Sequence, residues 1–229
     1  MLVTWTALEL DRPQATCPWL PVGATYAQAG HAAAGVAALP SFSGVWWTVL
    51  ATWDDADAEL AAVHPAVDGL RAAWHVVLEP AAYRGDAVLA GGAQPFGGLP
   101  TRGKVQGAAA VITLAGMGRD PARTSEFFER FVGLGRSVRT APGHRAALVQ
   151  APEDGAVLTF SAWDSLRDAV TWAYHRPEHA ATVARQEEHV LLPSSGFLRC
   201  AVVGSSGTLH GTDPLAGRTG VPVVLEETA

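Results

Sequence analysis

Two stretches of the chain repeat one another. "VWWTVLATWDDADAELAAVHP" (residues 45–65) and "AVLTFSAWDSLRDAVTWAYHRP" (residues 156–177) each open as a β-branched and aromatic run ending in Trp-Asp. The pairs are Trp53-Asp54 and Trp163-Asp164, and each is followed by a helical pattern and a His close to a Pro. In both copies the Asp stands where a strand hands over to a helix, which predicts an N-cap. Two such copies about half a chain apart predict a duplicated unit, and few folds accommodate that.

The second copy is the fuller. "VQGAAAVITLAG" (residues 105–116) reads as a strand, and "RTSEFFERFVGLGRSVR" (residues 123–139) as an amphipathic helix with Phe127, Phe128, Phe131 and Leu134 on one side. "HRAALVQAPEDGAVLTFSAW" reads as a hairpin turning at residues 152–155, followed by a helix from Ser165 that Pro177 interrupts. "SGFLRCAVVG" (residues 195–204) closes the unit. The order β-α-β-β-α-β is the ferredoxin-like arrangement. In the first copy "VTWTALEL" and "GVWWTVLATW" read as strands and "ATYAQAGHAAAGVAAL" (residues 24–39) as an Ala-rich helix. Helical material runs to about Trp74, and "HVVLEP" closes that unit. Only three strands are clear there, so a hairpin partner before Gly44 looks trimmed.

The expected fold is therefore α+β: two ferredoxin-like repeats that form a dimeric α/β-barrel-type architecture within one chain. Residues 1–85 form a degenerate N-terminal repeat, 86–104 a linker around "GGAQPFGGLPTRG", 105–204 the C-terminal repeat and 205–229 a tail without periodicity. Closing two sheets into a barrel removes exposed edges and leaves a pocket between sheet and helices in each half.

Composition narrows the function. The formal net charge is -6 and lysine is nearly absent, which argues against phosphate-neutralising nucleic-acid binding. Eight tryptophans against three tyrosines supply large rings for cores or for an apolar ligand pocket. No run approaches a membrane span and the start has no secretory pattern, so a soluble cytoplasmic protein with no integral membrane segment is expected. Cys17 and Cys200 are the only cysteines, and nothing in the sequence points to an oxidising compartment for them. P-loop, G-x-S-x-G and well-placed dinucleotide signatures are absent; "GLGR" follows a helix, and the carboxylates of "WDDADAE" read as helix N-terminal charges.

The block running from "LATWDD" through "HPAV", "AAWHVVLEP" and "YRG" to "PF" resembles the signature region of the spheroidene monooxygenase family. "LTFSAWDS", a short Pro-His element and "VARQEE" extend the resemblance over residues 44–204. It implies a tandem dimeric α/β barrel and O2-dependent oxygenation of an apolar substrate, carotenoids in that family. It also implies haem b, with kinship in fold to chlorite dismutases, aldoxime dehydratases and haem-degrading monooxygenases. The chain departs from the family before "VWWTVLATW", where only "LPSFSG" stands for a longer Gly-rich stretch, and in its N-terminal strand and helix. Substrate identity is where these departures bear.

The family's Pro-His element maps onto "RPEH" with one inserted residue, making His179 its counterpart and the implied axial haem ligand. The residues support it independently. With Pro177 at the first helical position, His179 falls in the first turn, where the helix dipole disfavours imidazolium. A neutral imidazole is what iron takes. His175 is the alternative ligand. The two are four apart, but Pro177 breaks the continuous face that an H-x3-H zinc site needs, and no third ligand is evident. Against both stands the plain reading of a solvated His179 at a helix start and of His175 capping a helix end. His31, His64, His75, His144, His189 and His210 take structural readings.

Phe127, Phe128, Phe131, Phe160, Trp163 and Trp172 are core residues by their spacing and candidates to line a haem or substrate pocket. Arg145 and Arg199 are candidates to pair with propionates. The expected activity is a haem-dependent monooxygenase or related oxidative enzyme acting on an apolar or unsaturated small molecule, with O2 as co-substrate and an electron donor as partner. An oligomer is compatible. The alternatives are a noncatalytic carrier of haem or an apolar ligand, and a cofactor-free monooxygenase of the same fold.

Overall fold

A computed structural model describes residues 1–34, 44–54, 66–152, 155–189 and 191–223. Eight antiparallel strands close into a barrel in the order β1-β3-β2-β7-β8-β6-β9-β4. These are β1 (Leu2–Leu10), β2 (Tyr26–Ala34), β3 (Trp46–Trp53), β4 (Leu70–Gly85), β6 (Ala109–Gly116), β7 (His144–Ala151), β8 (Val157–Trp163) and β9 (Ser194–Gly207). A two-stranded ribbon of β5 (Lys104–Gly107) and β10 (Gly220–Val223) lies beside them. Three α-helices stand among the described residues: α1 (Pro121–Arg139), α2 (Leu166–His175) and α3 (Pro177–His189).

From β6 to β9 the order is β-α-β-β-α-β, with the second helix broken in two. Asp120 caps α1 by accepting from the Ala122 and Arg123 amides, and Pro121 starts it. Ser165, not Asp164, caps α2 through the Asp168 amide. Asp164 instead receives Arg145 and Arg218, while Asp54 accepts from Thr25 Oγ1. The Trp-Asp echo thus marks the ends of β3 and β8; after β8 the cap falls one residue later, at Ser165, and the helix expected after Asp54 lies outside the described residues.

The N-terminal half departs from the sequence reading. The span expected as an Ala-rich helix is strand β2 as far as it is described, and β2 is the hairpin partner of β3 that seemed missing. Alanine favours helices only weakly, and tertiary pairing overrides it. Here Gln28, Gly30 and Ala32 are buried in alternation, and a Cβ on Gly30 would lie 2.7 Å from the Ala151 carbonyl oxygen. Only a residue without a side chain allows β2 and β7 so close. Residues 70–74, expected as helix, belong to β4; the helical expectation over 55–65 falls outside the described residues. The long β4 takes Pro80 at a register irregularity, where a missing N–H is tolerated. Val105–Gly116 is not one strand but two, broken at Ala108.

Strand pleating sorts the core. Val3, Trp5, Leu50, Trp74, Val76, Leu78, Ile112, Leu114, Leu148, Leu158, Phe160, Leu198 and Cys200 fill the barrel interior. Trp5 stacks on Phe160 at 5.2 Å and Trp74 meets the same ring edge-on at 5.8 Å. The linker is part of this core: Leu89 and Phe96 are buried in it. So is the tail, whose Leu209 and Leu215 are buried and whose Asp213 accepts from Trp74 Nε1 at 2.9 Å.

The barrel closes along two unequal seams. β4 and β9 pair along most of their length, whereas β2 meets β7 only from His31 to Ala34. A buried amide network reinforces the short seam. Gln28 Nε2 donates to Gln150 Oε1 at 3.0 Å, and Gln150 Nε2 donates to the Thr48 carbonyl at 2.8 Å. Gln28 Oε1 accepts from the Ala90 amide and the Tyr26 hydroxyl, tying the linker to the seam.

Candidate active site

The second half carries the helices on the outer face of its sheet. Alternation along β6, β8 and β9 puts Val111, Thr113, Thr159, Ser161, Trp163, Phe197 and Arg199 on that face, between neighbours that belong to the barrel core. A second apolar cluster (Ala109, Val138, Ala141, Trp163, Leu166 and Ala169, with Trp172 against it) joins sheet to helices at one end. α2 packs on β5, β6 and β8 and α1 on β7, but the main contacts of α3 are with α2 and α1. The two long helices are held together by the Arg185–Glu126 ion pair at 2.7 Å. Toward the other end the sheet face is only partly covered: Thr113 and Thr159 are half-buried and Phe197 is 44% exposed.

His179 stands in the first turn of α3. Pro177 has no amide proton, so the Ala173 carbonyl four residues earlier cannot receive its usual helical donor. The His179 ring interacts with that carbonyl, while burial pushes its pKa down and holds it neutral near pH 7. Its Nδ1 is buried with no hydrogen-bond partner. Trp172 packs against it at 5.0 Å, and Trp172 Nε1 donates to Ser137 Oγ on α1 at 3.0 Å. A row of rings continues from Trp172 to Trp163 at 5.8 Å and to His144 at 5.1 Å. His144 is also held neutral, first by burial, and its Nε2 is buried without a partner.

The structure therefore brings His179, Trp172 and Trp163 together. Phe127, Phe128 and Phe131 form a half-buried aromatic stack on α1, with centroids 5.5 Å and 5.8 Å apart. Phe160 is not with them: the two-residue period that sends Trp163 and Ser161 outward turns Phe160 into the barrel interior. His175 is exposed at the end of α2, beside a shallow cleft that includes Trp172, Thr171 and Asp168. Arg145 is committed to Asp164, which Arg218 also clasps at 2.9 Å; these two guanidinium groups hold the Asp164 carboxyl below its usual pKa range. Arg199 is half-buried on the outer face of the sheet.

The remaining histidines sit elsewhere. His75 Nδ1 pairs with Thr6 Oγ1 at 2.8 Å, His31 packs tilted against Trp47 at 4.0 Å, and His210 lies 5.0 Å from Trp46. His64 and the His189 side chain fall outside the described residues. Cys17 and Cys200 form no disulfide, and burial raises both thiol pKa values. Among the described residues no three His, Cys, Asp or Glu side chains converge as a metal cage, and no helix is long and apolar enough to cross a membrane.

A haem asks for one neutral nitrogen donor rather than a cage. The buried Nδ1 of His179, with no hydrogen-bond partner, fits that demand, and the Trp172 ring packs beside it. Sequence reasoning singled out His179 and expected a neutral ring there from the helix dipole; the ring's pKa is indeed lowered, but by burial. It missed Ser137 and the Glu126–Arg185 clamp, which only the packing of α1 against α3 reveals.

No protein-family model matches the chain, and no curated protein matches it in sequence. Solved structures do match. An aldoxime dehydratase in complex with butyraldoxime aligns over 96% of this chain and 82% of its own, at 10% identity and a TM-score of 0.53. Another aldoxime dehydratase structure aligns over 97% and 84%, at 9% identity and 0.50. A protein from Fusobacterium nucleatum subsp. nucleatum, provisionally named a monooxygenase, aligns over 90% and 93%, at 9% identity and 0.41. At these identities the likeness to the two dehydratases is one of fold.

Proposed function

We propose that this chain is a haem-dependent oxidative enzyme, a monooxygenase in type, acting on an apolar or unsaturated small molecule between the second half's sheet and its helices. The observation that carries this reading is the orphaned Nδ1 of His179, on a ring kept neutral by burial. A buried polar atom without a partner costs free energy unless something completes it. The fold shared with aldoxime dehydratases and the resemblance noted in the sequence point the same way.

In this reading His179 would supply the nitrogen that holds the iron. The Ala173 carbonyl and the Trp172 face orient its ring, and Ser137 fixes Trp172 in turn. The stack of Phe127, Phe128 and Phe131 excludes water from the apolar side of the pocket. The group, when bound, supplies redox chemistry with O2, and an electron donor is then required.

An absorption spectrum of the purified protein, before and after adding haemin, tests this. A Soret band is expected, and His179→Ala should abolish it or shift it strongly. An unchanged band in that variant would move the ligand to His175. No band even with added haemin would sink the haem reading and point to a cofactor-free oxygenase. Turnover with O2 and a reductant separates an enzyme from a haem carrier.

A further inference from the structure

On the same sheet face, toward its less covered end, the exposed Phe197 has one arginine directly across on β4 and another two residues along its own strand. Phe197 on β9 lies opposite Arg84 on β4 in one direction and opposite Thr113 on β6 in the other. Arg199 follows Phe197 by two residues, so both point to the same side, and it lies opposite Val111. Arg84 is exposed and Arg199 half-buried, and neither makes an ion pair or hydrogen bond among the described residues.

Their neighbours on the C-terminal half behave otherwise. Arg145 and Arg218 are both spent on Asp164, and Arg130 and Arg185 both on Glu126. Here, by contrast, a half-buried Arg lies on a partly exposed face with no ion-pair partner among the described residues. Guanidinium groups are weakly hydrated and present forked donors that match a carboxylate. The exposed Phe197 ring on the same face offers a flat surface for an apolar body.

We infer that Arg84 and Arg199 form the anion-recognising end of the pocket, and that its ligand is an apolar, unsaturated molecule carrying a carboxylate. The apolar body lies along Phe197, Val111 and Thr113, and the carboxylate pairs with the two guanidinium groups. This rests on the reading above for the apolar character of the ligand. The carboxylate could belong to a substrate or to a porphyrin propionate, and the test separates these sources.

The probe is cis-parinaric acid, a fluorescent conjugated polyene acid, titrated into haem-free protein beside its methyl ester. The acid should bind more tightly than the ester. Arg199→Gln should weaken the acid by about 10- to 100-fold, as expected for loss of charge-assisted hydrogen bonds. Arg84→Gln should weaken it less, the double variant most, and the ester should bind all four proteins alike. Equal binding of acid and ester to the unaltered protein, or undiminished acid binding by the double variant, overturns the inference. So does failure of the acid to bind at all. Haemin and its dimethyl ester are titrated in parallel, followed by the Soret band. If only the porphyrin pair discriminates by charge, the site is a propionate site and not a substrate site. If haemin never binds while the acid shows the Arg199 dependence, the haem reading fails and the anion site stands.

Discussion

Replacing Gln150 by Leu should destabilise the barrel more than any other change of similar size at the β2–β7 seam. Gln150 is fully buried, and Gln28 is 3% exposed. The substitution keeps the volume but leaves Gln28 Nε2 without its acceptor and the Thr48 carbonyl without its side-chain donor. Each buried group left unpaired costs about 1–3 kcal/mol. Burying a Leu in place of an amide returns part of that, about 1–2 kcal/mol. The net expectation is a loss of about 2–3 kcal/mol, read as a fall in the urea midpoint of about 1 M with an unchanged slope. Gln28→Leu with Gln150→Leu removes both ends of the central hydrogen bond, so the double variant should lose clearly less than the two singles added together. It should not recover fully, because the Ala90 amide still lacks its acceptor and the Thr48 carbonyl its side-chain donor. A loss below about 0.5 kcal/mol for the single variant, or strict additivity in the cycle, would refute the argument that the amides hold the short seam.

The buried histidines predict a pH dependence. His144 and His179 have pKa values lowered in the folded chain, so the unfolded chain takes up protons first as pH falls. Their contribution to stability is full above the unfolded value of about 6.5 and is lost as pH falls through the folded values. Melting temperature should drop between pH 7.5 and 5, and His144→Phe should flatten that slope; an unaltered slope in the variant would count against a buried neutral His144. Phe160→Ala removes a fully buried ring stacked on Trp5 and should cost about 3–5 kcal/mol in urea unfolding, while leaving haemin binding in place, since Phe160 faces away from His179. Ser165→Ala removes the α2 cap and should cost about 1 kcal/mol, whereas Asp164→Ala, on a side chain 35% exposed, should cost no more than that despite its two arginines.

The second half was legible because its signals are local. Pro177 announces a helix start, whereas the neutral state of His179 comes from burial, which no local signal gives. Alternation in "AVLTFSAW" announces β8, and followed strictly it also separates Phe160 from Trp163. What escaped is set by distant partners. β2 has an alanine-rich composition that suits a helix, and only the closeness of β7 to Gly30 makes it a strand. Ser165 and Asp164 are adjacent candidates for one cap; Arg145 and Arg218, the latter 54 residues further on, decide between them. Nothing in "TLHGTDPLAGRTG" says that its two leucines enter the barrel core, because a buried Leu in an irregular segment has no period to reveal it. Arg84 carries no signal until β4 is laid beside β9.

The unequal seams also bear on how the chain is made. On a ribosome β1 to β4 emerge first and can pair as a four-stranded sheet in the order β2-β3-β1-β4. That sheet has two bare edges. β2 waits for β7 and β4 waits for β9, with residues 86–193 between β4 and its partner. Unpaired edges invite pairing with other chains. A nascent chain stalled before β9 would carry β4, the longest strand among the described residues, as an open template. Aggregation during expression should therefore track truncation points upstream of Ser194 more closely than it tracks the stability of the finished barrel.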